Sequence, residues 1–188
     1  MTVTAVDPRI ALIVVDLQKG IVALPAAHSI EGVLKQAIAL AEAFRARGLP
    51  VVLVNVAGAA PGRTEQGRLR RDLPAGWTDL IPDLNRQPQD HLVTKCTPGA
   101  FTNTGLESHL KGLGVTQVVV VGVATSNGVE VTARQAFELG FNVTLAIDAM
   151  TDLDAEAHAW SVARVFPRIG EVGTACEIIG MMEGNASS

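Results

Sequence analysis

The 188-residue chain predicts an α/β fold, a mainly parallel sheet with helices on both faces. Two observations predict it. Several short β-branched runs, residues 118–121 the clearest, lack the polar alternation of a half-exposed strand and read as strands buried on both faces. Each run leads into a stretch whose apolar residues recur at helical spacing, and alternating strand and helix builds parallel sheets through right-handed crossovers.

In order, residues 10–15 form an apolar run that ends at Asp16 and make the first strand. Val33, Ala37, Leu40, Ala41 and Phe44 then give a helical stripe, stopped by Gly48 and Pro50, before a second strand at residues 51–56. Residues 57–89 are rich in Gly, Pro and charge and have no sustained period. They read as a long excursion with one helical turn around Leu69, of the kind that shapes a site. Residues 91–94 form a short strand delivering Lys95. Thr104 and Glu107 have capping-box spacing ahead of a helix with Leu106, Leu110 and Leu113 on its stripe.

After the strand at 118–121, Thr125 or Ser126 caps a helix that buries Val129, Ala133, Ala136 and Phe137. A fifth strand runs from Val143 to Asp148. Thr151 or Asp152 caps the next helix, with Ala159, Val162, Ala163 and Phe166 on its stripe and Pro167 as its stop. A weak strand at 171–172 and a helix through Met182 complete one domain over residues 1–188, with a core of about 10–182 and a frayed tail.

Composition narrows the function. The net charge of −4 and the dispersed Lys and Arg, apart from Arg68, Arg70 and Arg71, argue against a nucleic-acid surface. No apolar segment reaches the roughly 18 residues of a membrane span, and the N-terminus lacks the order of a signal peptide, so the expected location is cytoplasmic. Cys96 and Cys176 make no CxxC pattern and are expected to be reduced, small core residues. The four histidines are scattered singly, which gives no metal site, and no cofactor is implied.

Asp16 closes the first strand, Lys95 the third, and the 125–128 turn follows the fourth, so all three converge at the carboxyl edge where parallel sheets bind ligands. A half-desolvated Asp beside a Lys is tuned for proton transfer. The same spacing also fits an Asp that caps a loop and a Lys that pairs with it for structure.

Asp16-Leu17-Gln18, Lys95 followed by Gly99-Ala100-Phe101, and Gly122-Val123-Ala124-Thr125 leading through Gly128-Val129 to Thr132-Ala133-Arg134 resemble the isochorismatase-like hydrolase superfamily, also called the cysteine hydrolases. The match spans residues 10–182. It implies a three-layer α/β/α sandwich with a six-stranded Rossmann-like sheet, a cis peptide before Ala124, a homodimer or homotetramer, and a small-molecule substrate. It also implies catalytic roles for Asp16, Lys95 and the position of Gly128, with Gln18, Gln66, Phe101, Ala124, Thr125 and Asn127 as substrate-binding positions.

One departure bears on the reaction. Amidase-type members carry a cysteine nucleophile at the position of Gly128. Cys96 adjoins Lys95, where neighbouring side chains point to opposite faces, and Ser126 has no local His as a base. True isochorismatases of the superfamily also carry Gly there and hydrolyse a vinyl ether without covalent catalysis. The residues therefore imply non-covalent vinyl-ether hydrolysis, with Asp16 as general acid. Two alternatives stay open: a hydrolase of another small amide, ester or ether, and a catalytically silent member. Isochorismate carries two carboxylates, which call for Arg partners. Arg63, Arg68, Arg70 and Arg71 lie in the excursion, but the downstream Arg expected near Trp77 and Thr78 is missing. The Asp-x-His of metal-binding nicotinamidases is replaced by Asn55-Val56-Ala57.

Overall fold

The computed structural model describes residues 3–65 and 73–184. Gln66, Arg68, Leu69, Arg70 and Arg71 lie outside the described residues, and with them the expected helical turn around Leu69.

Six parallel strands run in the order β3-β2-β1-β4-β5-β6, from β1 (Ile10–Val15), β2 (Val51–Val56), β3 (His91–Lys95), β4 (Gln117–Val123), β5 (Asn142–Thr151) and β6 (Glu171–Gly173). The strand order reverses direction at β1 and β4, so the crevice for a ligand opens beyond their carboxyl ends. β5 runs to Thr151, three residues past the expected end at Asp148, with its register to β4 shifting between Val120 and Gly122.

Side-chain alternation sorts β1 into two cores. Ala11, Ile13 and Val15 face α3 (Leu106–Gly112) and α4 (Glu130–Glu138), whereas Ile10, Leu12 and Val14 face α2 (Ile30–Ala46), which follows the one-turn α1 (Lys19–Val22), and α6 (Ala175–Gly184). The two layers give the α/β/α sandwich. The predicted stripe of α2 is buried at all five positions.

Several local expectations are corrected. Phe137 and Leu113 are half exposed, and Ala159 and Ala163 are exposed, because the buried stripes are narrower than the apolar residues suggest. Thr104 makes no capping box; its hydroxyl donates to the Ala100 carbonyl, while Glu107 pairs with Lys111 one turn on. Neither Thr151 nor Asp152 caps α5 (Ala155–Trp160). Asp154 does, accepting from the N–H groups of Glu156 and Ala157. Pro167 lies within a short 3₁₀ turn, Phe166–Arg168, that ends the segment.

Both cysteines are exposed rather than in the core. β3 is an edge strand, and its alternation buries Val93 and Lys95 while turning Leu92, Thr94 and the following Cys96 outward. Cys176 lies on α6 between the buried Ala175 and Ile178, on the solvent side. Among the described residues no helix is long and apolar enough to cross a membrane.

Candidate functional site

Where β1 ends, the chain turns sharply: Asp16 adopts φ 54°, a left-handed conformation that costs a non-glycine residue energy and recurs at functional sites. β3 ends beside it. Lys95 Nζ donates to Asp16 Oδ2 at 2.7 Å and to the Pro98 carbonyl at 2.8 Å. Both side chains are almost wholly buried, at 2% exposure for Lys95 and 7% for Asp16. Asp16 Oδ1 is buried and has no hydrogen-bond partner. Burial pushes the Asp16 carboxyl up from 3.8 to about 6, against the opposing pull of the Lys95 charge and its hydrogen bond.

The third component follows β4. The Val123–Ala124 peptide is cis. A five-residue π-helical turn, Thr125–Val129, then leads into α4. Neither Thr125 nor Ser126 caps it. The Ser126 N–H donates to Asp152 Oδ2 at 2.6 Å, so the cap arrives from the loop after β5, and the fully buried Thr125 hydroxyl hydrogen-bonds His158 Nδ1 at 2.8 Å. The turn brings Gly128 against Asp16. A Cβ at 128 would lie 3.1 Å from Val15 Cγ1, 3.2 Å from Asp16 Oδ2 and 3.3 Å from the Val123 carbonyl, tight on three sides.

A cavity of about 470 Å³ opens onto these groups. Asp16, Lys95 and Gly128 all line it, together with Ala124 and Asn127. The spacing argument and the geometry thus meet at one pocket. Two other expected binding residues lie elsewhere. Phe101 packs in the core near Phe141, and Thr125 is taken up by His158. The expectation for Gln66 falls outside the described residues. Gln18 is also absent from the lining. Its amide is spent on the frame, with Oε1 accepting from Val56 N at 2.7 Å and Nε2 donating to the carbonyls of Val56 and Trp77 at 3.1 and 3.2 Å.

Gln18 therefore pins two residues that do line the cavity, Val56 and Trp77. Trp77 was not among the expected site residues. A large aromatic within a polar, glycine-rich excursion was the signal that could have found it. Among the described residues no three His, Cys, Asp or Glu side chains gather as metal ligands would.

Residues 10–177 match the family model described as the isochorismatase domain. The chain belongs to the isochorismatase family. It is accordingly a hydrolase with the six-stranded α/β fold of that family. It is 38% identical over 181 residues to the isochorismatase family protein YecD of Escherichia coli O157:H7, covering 92% of this chain and 95% of that one. A solved isochorismatase family structure from Burkholderia thailandensis superposes with a TM-score of 0.90 at 38% identity, covering 95% of this chain and 97% of that one. The chain is also 34% identical over 148 residues to the streptothricin hydrolase of Streptomyces noursei, covering 78% of this chain and about half, 51%, of that protein.

Proposed function

We propose that this family member hydrolyses a small vinyl ether without a covalent intermediate, with Asp16 as general acid. The observation that carries the reading is the Asp16 carboxyl: one oxygen held by Lys95, the other buried without a partner beside a cavity, and a pKa near neutrality. Such a group holds its proton on about a tenth of molecules at pH 7, enough for proton donation at an operating pH close to its pKa.

In the proposed step the Asp16 proton passes to the terminal methylene carbon of the substrate's C=C–O unit. The C=C π electrons form the new C–H bond, leaving an oxocarbenium ion whose charge the newly ionised Asp16 offsets. Water adds to the oxocarbenium carbon, the one bonded to the ether oxygen, and loses a proton that returns to Asp16. The resulting hemiacetal or hemiketal breaks its C–O bond to give an alcohol and a carbonyl compound. Lys95 keeps Asp16 oriented through its second bond to the Pro98 carbonyl. The tight surroundings of Gly128 support the non-covalent route, because a side-chain nucleophile there would have to displace Val15, Asp16 or the Val123 carbonyl. Neither exposed cysteine lines the cavity.

The similarity to streptothricin hydrolase favours a second reading, in which ionised Asp16 acts as a base that activates water toward an amide or ester. The pH profile separates them. A general acid gives activity that grows as pH falls through about 6, and a general base gives activity that grows as pH rises through it. Turnover of phenyl vinyl ether to phenol and acetaldehyde, set against phenyl acetate and acetanilide, is the direct assay. Activity on the vinyl ether should survive complete alkylation of Cys96 and Cys176; a substrate-derived adduct trapped on either cysteine would overturn the reading.

A further inference from the structure

Apart from Asp16 and Lys95, which pair with each other, the described lining of the cavity carries no charged side chain. Its large apolar residues are Ile21, Leu24, Val56, Trp77, Val123 and Leu153, and its neutral polar side chains are Thr64, Thr97 and Asn127. Arg63 and Arg86, the described arginines of the excursion, are exposed and outside the lining. A carboxylate set against the apolar part of this lining would lose hydration and meet no guanidinium among the described lining residues, whereas an apolar group would gain by leaving water.

The aromatic wall is built in place. The Trp77 carbonyl accepts from Gly20 N at 3.0 Å and from the Gln18 amide, Lys19 N donates to the Asp79 carbonyl at 2.8 Å, and Gln18 bridges antiparallel to Leu80. Segment 77–80 is thereby stapled along segment 18–20. The indole itself rests directly on Gly20. A Cβ at position 20 would lie 2.1–2.2 Å from Cδ1, Nε1 and Cε2 of Trp77, so any side chain there drives the ring from its seat.

We propose that this cavity selects a substrate whose non-reacting part is uncharged and apolar, packed against Trp77, with Gly20 as the positioning residue that makes room for the indole. The proposal rests on the reading of this cavity as the reaction site and narrows its substrate class to molecules that pack an apolar group on Trp77. Specificity then comes from a flat, pre-positioned apolar surface.

Binding of non-hydrolysable ethers tests this independently of chemistry. Phenetole and 4-ethoxybenzoate share the ethoxyphenyl framework, the second adding a charged para carboxylate, and diethyl ether lacks the ring; ligand-observed NMR titration gives Kd for each. Phenetole should bind at least tenfold more tightly than either. In Trp160→Phe protein, which leaves Trp77 as the single tryptophan, phenetole should also change the emission. Trp77→Ala and Gly20→Ala should each weaken phenetole binding at least tenfold, and Trp77→Leu, which keeps an apolar wall if the alanine variant misfolds, should weaken it less than Trp77→Ala. Equal or tighter binding of 4-ethoxybenzoate, phenetole affinity unchanged in folded Trp77→Ala, or no binding of phenetole would overturn the proposal. Phenetole selectivity together with phenyl vinyl ether hydrolysis that survives Asp16→Asn would overturn only the general-acid mechanism.

Discussion

Two buried ion pairs in this molecule differ in what they leave unsatisfied. Arg45 on α2 meets Asp90 with two parallel bonds, Nε to Oδ1 at 3.1 Å and Nη2 to Oδ2 at 2.7 Å. The Gln87 N–H also donates to Asp90 Oδ2, and Arg45 donates to the Leu84 carbonyl, so both carboxylate oxygens are used. Asp16 and Lys95 share a single contact, and Asp16 Oδ1 is left over. The first pair ties α2 to the loop before β3, away from the cavity lining. The second lines the cavity. A saturated pair holds a fold together, whereas a pair with an unused buried oxygen beside empty space keeps an acceptor for a substrate or a water.

The comparison breaks most sharply with Asp16→Asn. Near-isosteric, it should leave the fold intact by circular dichroism and lower kcat on the vinyl ether by about 10²–10⁴-fold, the usual cost of a lost general acid. Retained turnover would make Asp16 another structural carboxylate. Asp90→Ala should do the opposite. It strands Arg45 in the interior, costing about 3–5 kcal/mol in urea unfolding, with kcat per folded molecule unchanged.

The pH dependence of stability sharpens the contrast. Because the folded-state pKa of Asp16 is raised from 3.8 to about 6, the native state binds more protons than the unfolded chain between those values, and stability falls as pH rises through that window. The contribution is about 3 kcal/mol by the ratio of pKa to free energy. It should appear as a difference in denaturation midpoints between the protein and Asp16→Asn that grows from pH 4 to pH 6 and then levels off. Lys95→Met removes both influences that lower the Asp16 pKa, so the activity limb should move to higher pH. A limb that stays in place would detach the profile from Asp16. The smallest effect is expected from Gly128→Ala. The added methyl must displace neighbours by a few tenths of an ångström, costing about 1–3 kcal/mol of stability by thermal melting.

Much of this was legible in the residue order. The apolar runs at Ile10–Val15 and Val51–Val56 are strands with the expected bounds, because burial on both faces demands uninterrupted apolar character. Asp16 and Lys95 were legible because a polar residue closing such a run must lie at the sheet's carboxyl edge. Ends of helices were read less well. The Ser126 N–H is capped by Asp152, 26 residues away, and local sequence carries no trace of a partner brought in by folding.

The alternating α/β order, the family motifs and the meeting of Asp16, Lys95 and Gly128 can be read from the residue order, since they follow from periodicity and strand ends. What surrounds them depends on tertiary packing. Gln18 carries a motif position yet spends its amide on Val56 and Trp77, 38 and 59 residues distant. Trp77 becomes a cavity wall because Gly20, far from it in sequence, leaves room for its ring. Periodicity reports which face of an element is buried; which residues share a wall depends on packing between segments whose separation in sequence says nothing about their distance in space.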